Sequence, residues 1–416
     1  VLLNLSLLMV YHIFNASHDE ALANGGCNFT PPAAARRIDT DLAVLPYWYA
    51  RPGEAVLVPE VALAENFVSS LPVGRGVAFA GDVSGATQVT VEPWGWNKAL
   101  VRTLVKRGVP REVMPGDEFL DNLRRLQNRK TSSNMLKSLR GELDEWLPGE
   151  ASSMLAGTSY FVDDCKCLHG LKPFLSGSCM LKKPWSGSGR GLFKTSDIEA
   201  GRALAWSASV IREQGGVEVQ PFLDNAGNCA AEFIVNPDGT AVFTGFSLFS
   251  TAGGGAYSGN SVKPGVETDI RRALGRSEVV LSPAVEALCR MLPRVLKGYY
   301  GPVGVDMMIC RPSQHESQMR LFPCVEMNLR RTMGMVALAL GSLLARGSTG
   351  DYRIMCGRLP GEMLSRCEAL RMSHPLETCG GRIVSGYLPL TPVYAETCFH
   401  ACLVVDCAAA SPHGTA

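Results

Sequence analysis

The sequence predicts a mixed α/β protein, in which an α/β part with a mostly parallel sheet precedes a part built on an antiparallel sheet. Strand and helix patterns alternate over the first 125 residues, which is typical of parallel sheets. From residue 217 onwards, apolar strands are separated by turn sequences such as DNAGN and NPDG. We predict three regions, namely an α/β domain over 1–125, a second domain over 126–345, and a C-terminal extension with a β-hairpin over 346–416.

Apolar runs place the elements of the first region. They predict strands at 7–14, 54–59 and 85–94, and amphipathic helices at 97–108 and 116–130. We interpret the first run as a buried strand rather than a signal sequence, because no basic residue precedes it and no small-residue cleavage site follows.

The second half begins with helical patterns and then changes to strands. The pattern predicts helices at 132–147, 196–215, 282–297 and 335–346, an antiparallel meander at 217–223, 229–235 and 240–250, and a hairpin at 382–405. A glycine-rich stretch at 250–260 follows the meander.

Composition excludes several functional classes. The formal net charge is +1 and no long charged block occurs, so no nucleic-acid partner is predicted. No apolar run reaches the ~20 residues that a membrane helix needs. The 14 cysteines are scattered, mostly in apolar runs, which favours reduced core thiols and a cytoplasmic protein. Neither Cys165-x-Cys167 with His169 nor the group at 398–402 has a standard zinc spacing.

The stretch KKPWSGSGRGL, residues 182–192, is typical of an anion-binding loop. Glycines let backbone N–H groups approach an anion closely, and a lysine at a strand end adds a point charge for phosphate. The order differs from a P-loop, because the lysines precede the glycines. A flexible surface turn is the alternative interpretation.

The stretch CVEMNLRRTMG, residues 324–334, carries the second signal. On a strand, Glu326, Asn328 and Arg330 share one face, and Asp306 lies in a strand about 20 residues earlier. Carboxylate and amide oxygens suit Mg²⁺ beside substrate phosphates, and an arginine can bind a phosphoryl group or carboxylate. A solvated sheet face is the alternative, but the apolar sequence on both sides argues against unpaired charges there.

Together these motifs resemble the ATP-grasp superfamily. The shared order is a lysine followed by a Gly/Ser loop, a hinge strand ending in VEVQPF, a meander, an aspartate, and then E-x-N-x-R. The resemblance covers roughly 130–345 and implies an ATP-grasp fold with an antiparallel sheet. It also implies that 1–125 is a pre-ATP-grasp-like domain.

The resemblance implies a role for each matching residue. Lys183 would contact the ATP phosphates, with Lys182 as the alternative. Asp306, Glu326 and Asn328 would bind Mg²⁺, and Arg330 would lie near the transferred phosphate. The remaining nucleotide-binding residues would be those of the closing loop and of the hinge strand, namely Ser186, Gly187, Ser188, Gly189, Gly191, Glu218, Val219 and Gln220.

Two departures from the family pattern leave questions open. Gln220 stands where a glutamate often precedes the hinge proline, so the ribose contact is not assigned, and Glu218 is not an evident substitute. The upstream ATP-binding lysine is also not placed, and Lys137, Lys166 and Lys172 are the candidates.

The resemblance implies a ligase that uses ATP and, in the usual case, two Mg²⁺ ions. A carboxylate would become an acyl phosphate, and an amine, or less often a thiol, would displace the phosphate. The substrates would be small molecules or peptides, and a homodimer is one possible assembly. A non-catalytic ATP-binding regulatory protein and an ATP-grasp kinase are the alternatives.

The sequence does not identify the substrates. Residues 14–26 follow the first strand and either line the substrate pocket or form a capped helix. Residues 92–97, EPWGWN, are either a packing cluster or a substrate wall. The glycine-rich stretch 250–260 is expected to cover the acceptor site.

Overall fold

The N-terminal part is built on a small parallel sheet in the strand order β3-β2-β1-β4. The computed structural model describes residues 9–83, 88–147, 149, 151–175, 177–187, 189, 191–252, 255–312 and 318–407, with the side chains of 151 and 152 left out. The strands are β1 (Met9–Ile13), β2 (Ala55–Leu57), β3 (Ala78–Ala80) and β4 (Val89–Pro93). The helices are α1 (His18–Asn24), α2 (Ala33–Asp41), α3 (Val61–Ser69), α4 (Lys98–Lys106) and α5 (Asp117–Leu126).

A second small sheet follows, and it is antiparallel, with the order β5-β8-β6-β7. Its strands are β5 (Tyr160–Val162), β6 (Cys179–Lys182), β7 (Leu192–Thr195) and β8 (Val217–Pro221). The accompanying helices are α6 (Arg129–Trp146), α7 (Ala151–Met154), α8 (Lys166–His169) and α9 (Gly201–Gln214). The sequence grouped 217–223 with the meander, but β8 pairs with β5 and β6 instead.

The third sheet has nine strands in the order β13-β12-β9-β10-β11-β14-β17-β16-β15. Its strands are β9 (Asn225–Val235), β10 (Ala241–Thr251), β11 (Tyr257–Val262), β12 (Gly301–Cys310), β13 (Arg320–Asn328), β14 (Ser348–Cys356), β15 (Glu377–Cys379), β16 (Arg382–Pro389) and β17 (Phe399–Cys407). Its helices are α10 (Val266–Leu274), α11 (Leu281–Val295), α12 (Met333–Gly341) and α13 (Glu362–Ser373). The predicted class, a parallel N-terminal sheet followed by an antiparallel sheet, is confirmed.

Helix α6 begins at a different residue from the one the sequence predicted. Helix α5 ends at Leu126. The side chain of Asn128 then accepts from the Lys130 N–H at 2.8 Å and caps the next helix. Gln127 bonds to the backbone of Met327 and Leu329, which fixes this junction against β13. The cap therefore places the first residue of α6 at the edge of the large sheet.

Two apolar cores hold these parts together. One lies between helices α6 and α11 and the inner face of β9, β12 and β13. The other joins residues 42–77 of the N-terminal part to residues 336–405. The fully buried Trp48 belongs to this second core, and its indole N–H donates to the Leu390 carbonyl at 2.7 Å. The C-terminal strands thus extend the large sheet and share the core of the N-terminal part.

Candidate functional site

Strands β12 and β13 bring the three predicted metal ligands together. Their antiparallel register puts Asp306 opposite Glu326 and Gly304 opposite Asn328. Because side chains alternate along a strand, Asp306, Glu326 and Asn328 share one face, and Asn328 Nδ2 donates to Asp306 Oδ2 at 3.2 Å. All three line a cavity of about 300 Å³.

Asp306 has the electrostatics of a cation ligand. Burial and the neighbouring carboxylate of Glu326 raise the pKa of Asp306 to about 7. Among the described residues, no lysine or arginine reaches Asp306 at ion-pair distance. In the same part of the chain, no three His, Cys, Asp or Glu side chains form a metal cage. Two carboxylates and one amide oxygen fit Mg²⁺, which keeps water and phosphate oxygens as its other ligands.

Arg129, which the sequence did not single out, connects strand β13 to the glycine loop. Its Nη2 donates to Glu326 Oε2 at 2.6 Å, while its Nη1 donates to the Lys183 carbonyl at 2.6 Å and to Ser186 Oγ at 2.7 Å. The Nε lies 3.6 Å from Glu218 Oε2. The Arg129 guanidinium is buried and lines the cavity, whereas Lys172, one of the three upstream candidates, does not line it and pairs with Asp197 and Glu199.

Lys182, rather than Lys183, faces the cavity. Lys182 is buried opposite Glu218, with its Nζ 3.7 Å from Glu218 Oε2, and burial lowers the pKa of its ammonium. Lys183 follows the end of β6 and points the other way, where its Nζ donates to Glu213 Oε2 at 3.3 Å near the surface. Since successive side chains on a strand point to opposite faces, only one of the two can reach the cavity. Of the two candidate lysines, Lys182 therefore lines the cavity and Lys183 does not.

The hinge-strand residues lie behind the cavity wall. Glu218 is fully buried, and its Oε1 accepts from Ser133, Ser159 and Gln220. The remaining two predicted residues are also buried. Val219 lies between Tyr160 of β5 and Leu181 of β6, so neighbouring strands flank its backbone on both sides. None of Glu218, Val219 and Gln220 lines the cavity.

The glycine loop forms one side of the cavity. Ser186, Gly187 and Gly189 line it, Gly191 lies behind Ser186, and Ser188 is outside the described residues. A Cβ on Gly187 would lie 2.4 Å from Asp19 Oδ2. Gly189 has a φ of +72°, and a Cβ there would lie 2.6 Å from the Gly255 carbonyl. The loop can thus approach the N-terminal part and the 250–260 stretch only because it lacks side chains at these points.

Arg330 pairs with the N-terminal part. It lies beyond the last residue of β13, and its Nη2 and Nε donate to Asp19 Oδ2 at 2.9 and 3.2 Å. Burial raises the pKa of Asp19, but the cations Arg330 and Arg129 and the neighbouring His18 outweigh this and keep it below its usual value. Asp19 lies in the stretch 14–26 that was expected near the substrate, and both Asp19 and Trp94 line the cavity.

Glu232 is a cavity carboxylate that the sequence did not single out. It lies in the middle of β9, opposite Gly304 of β12. Its Oε1 accepts from Ser247 Oγ at 3.0 Å and its Oε2 from Thr332 Oγ1 at 2.9 Å. Burial raises its pKa to about 8. The one sequence feature that could have indicated Glu232 is that it is a single glutamate within the apolar sequence CAAEFIV.

Solved structures resemble this fold. A Campylobacter jejuni biotin carboxylase in a β-γ-ATP complex aligns with a TM-score of 0.50 at 10% identity, over 95% of this chain and 87% of that chain. The biotin carboxylase domain of the Hydrogenobacter thermophilus 2-oxoglutarate carboxylase, with MgADP, ADP and bicarbonate, has a TM-score of 0.49 at 11% identity, with 95% and 85% covered. The N5-carboxyaminoimidazole ribonucleotide synthetase of Thermus thermophilus has a TM-score of 0.48 at 14% identity, with 95% and 93% covered.

Sequence comparison adds no relative. No family model matches the chain, and no curated protein matches it by sequence. In the described residues, no helix is both long enough and apolar enough to cross a membrane. The alignment with the Campylobacter jejuni enzyme extends over nearly the whole chain. The chain therefore has the ATP-grasp fold.

Proposed function

We propose that this protein is an ATP-dependent ligase that activates a carboxylate as an acyl phosphate and transfers the acyl group to an amine. One observation carries the proposal. The oxygens of Asp306, Glu326 and Asn328 and the cationic groups of Arg129 and Lys182 converge on one cavity beneath a glycine loop. Phosphoryl transfer needs such positioning and charge neutralisation more than it needs covalent participation of the protein.

Each group has a task in this proposal. Lys182 and Arg129 bind phosphate oxygens of ATP, and the described part of the glycine loop, namely Ser186, Gly187 and Gly189, shields them from water. Mg²⁺, when bound by Asp306, Glu326 and Asn328, neutralises charge on those oxygens. When ATP binds, Arg129 donates from one of its N–H groups to a phosphate oxygen as well as to Glu326. This is possible because one guanidinium offers five donors.

Arg330 serves the second substrate in this proposal. It is already held in orientation by the bidentate contact with Asp19, and Arg330 lines the cavity. An arginine fixed in this way can bind a carboxylate or the phosphoryl group in transfer with little further loss of freedom. Asp19 thus acts as a positioning residue.

The test is a phosphate-release assay with ATP, MgCl₂ and pooled amino acids and dipeptides as sources of carboxylate and amine. We expect phosphate and ADP to appear only in pools that contain both substrates. The Asp306→Asn/Glu326→Gln double variant should lose this activity, while Glu213→Gln, an exposed control outside the cavity, should retain it.

Other products would contradict the ligase. Formation of AMP instead of ADP would exclude an acyl-phosphate route. A stable phosphorylated product made without an amine would indicate a kinase. Tight binding of Mg·ATP without turnover in any pool would indicate a regulatory nucleotide-binding protein.

A further inference from the structure

The carboxylates that line the cavity differ in how their charge is balanced. Glu326 is paired with Arg129 and Asp19 with Arg330. Asp306 accepts from Asn328 and faces the position assigned to Mg²⁺. Glu232 makes no ion pair with any residue that the structure describes, and its two partners are neutral hydroxyls. A buried carboxylate without a cation is costly. The residues that the structure describes supply no cation that would balance the charge of Glu232.

The hydroxyls around Glu232 are arranged to serve an anion. Thr332 Oγ1 accepts from the Met335 N–H at 3.1 Å, so its own proton is directed to Glu232. Ser247 Oγ supplies a second proton on the other carboxylate oxygen. Two neutral donors orient the carboxylate without cancelling its charge, and each oxygen keeps lone pairs for a further donor.

Two glycines make the space for this carboxylate. A Cβ on Gly334 would lie 2.0 Å from Glu232 Oε1, and a Cβ on Gly304 would lie 2.9 Å from Glu232 Oε2. Gly304 also leaves the sheet face open between Glu232 and Asn328, which is the partner of Gly304 on β13. Any side chain at these positions would displace the carboxylate or close the path to the metal ligands.

The remaining polar groups nearby are satisfied within the protein. Tyr257 donates to Asn260 Oδ1 at 2.6 Å, and Asn260 Nδ2 donates to the Leu248 carbonyl at 3.0 Å. Glu232 is therefore the group in this part of the cavity that lacks a charged counterpart among the described residues. It lies two residue pairs from Asp306 on the neighbouring strand, a diagonal separation of roughly 7–8 Å.

We propose that Glu232 binds the ammonium group of the acceptor, which makes the acceptor a primary amine rather than a thiol, and that it accepts one proton from this group. This inference rests on the ligase function proposed above. It extends that function by assigning the acceptor site and the chemical class of its ligand. Bound there, the nitrogen lies beside the phosphates held near Asp306.

Amide formation at this site conserves atoms and charge. The acceptor RNH₃⁺ gives one proton to the Glu232 carboxylate, and its freed lone pair attacks the acyl carbon. The C–N bond forms and the C–O bond to phosphate breaks, with the electron pair leaving on the phosphate. The second proton leaves with the phosphate as HPO₄²⁻, and one N–H stays in the amide.

The test compares two nucleophiles, the amine acceptor and hydroxylamine, in the wild type and in Glu232→Gln. The substitution keeps the shape and both hydroxyl partners but removes the charge. Hydroxylamine is neutral near pH 7 and traps the acyl phosphate without binding as an ammonium. We expect the ratio of amide to hydroxamate to fall by about 100-fold in Glu232→Gln, the lower range for losing general-base assistance. Glu213→Gln should keep the wild-type ratio.

A direct binding measurement separates this inference from the ligase function. Ethylammonium is titrated by NMR into protein loaded with Mg²⁺ and a non-hydrolysable ATP analogue. Loss of binding in Glu232→Gln supports the acceptor site even if no carboxylate pool gives turnover, a result that would refute the ligase alone. Equal binding by both proteins, or an unchanged product ratio, overturns the inference. A weaker affinity for Mg²⁺ in the variant would identify Glu232 as a metal ligand instead, which also overturns it.

Discussion

Arg129 and Glu326, 197 positions apart in the chain, form a part-buried ion pair with Nη2 2.6 Å from Oε2. The same guanidinium donates to Ser186, so one side chain links strand β13 to the glycine loop. A change at Arg129 should therefore affect both stability and nucleotide binding.

Arg129→Met tests this double role. The substitution removes the cation that pairs with the part-buried Glu326 and one of the two cations beside the fully buried Glu218, and we expect a loss of about 3–5 kcal/mol in the free energy of unfolding. Affinity for ATP should fall as well. Urea denaturation and calorimetry measure the two effects. Arg125→Met, at an exposed arginine whose guanidinium donates to Asn122 Oδ1, is the matched control. Wild-type stability in Arg129→Met would show that the pair contributes little.

The adjacent lysines provide a second test. Lys182→Met should weaken ATP binding by about 1.5–3 kcal/mol, the usual worth of a hydrogen bond to a charged group. Lys183→Met should leave affinity near the wild-type value, because this lysine bonds to Glu213 outside the cavity. Calorimetric titration with Mg·ATP compares the two. The reverse order of effects would restore Lys183 as the phosphate ligand.

The pH dependence of stability reports on Glu232. Its pKa rises from 4.5 to about 8 on folding, chiefly through burial, with Asp306 and Arg330 as the charged groups that act on it. Between these values the folded state keeps a proton that the unfolded state has lost. Stability should therefore fall as pH rises from about 5 to about 8, and then level off.

Glu232→Gln should remove much of this fall. We expect the variant to match the wild type near pH 5 and to be more stable at pH 8. Urea denaturation of the nucleotide-free proteins without Mg²⁺ provides the measurement. Asp306, whose pKa is also raised, contributes a fall of the same sign to both proteins. Identical pH profiles would mean that Glu232 is ionised at neutral pH even in the empty folded protein, whereas the expected profile means that it holds a proton there until an ammonium group binds and displaces it.

The contact between Asp19 and Arg330 can be resolved with a double-mutant cycle. Asp19→Asn and Arg330→Lys should each destabilise the protein, and the double variant should lose less than the sum, with a coupling of about 0.5–3 kcal/mol. Arg330→Lys should also cost about 2–4 kcal/mol in transition-state stabilisation, since it loses the planar fork. A variant that melts lower but turns over normally would make Arg330 a structural partner only.

Local periodicity could predict part of this site. The spacing of Glu326 and Asn328 places them on one face of any strand, and an antiparallel neighbour then brings Asp306 opposite. The alternation of parallel strands with helices likewise predicted the N-terminal sheet. These features depend on residues close in sequence, so they can be read without knowledge of the whole fold.

The rest of the site depends on contacts between residues that are distant in the sequence, and it could not be predicted from local patterns. Lys182 and Lys183 are equivalent in the sequence until the last residue of β6 is known, because one residue reverses the face. Arg129 lies at a helix start that the sequence placed three residues later, and its partners come from three other parts of the chain. Arg330 lies beyond its strand, so periodicity no longer orients it, and Asp19 does so from 311 positions away.

The core that joins residues 42–77 to residues 336–405 limits how this protein can be divided. A fragment ending near residue 345 would contain every cavity residue, yet it would uncover Trp48 and leave its indole N–H without the Leu390 carbonyl. Such a fragment would be prone to aggregation. The part that contains the cavity is thus not a transplantable module, and recombination or truncation experiments would need to carry both flanking segments together.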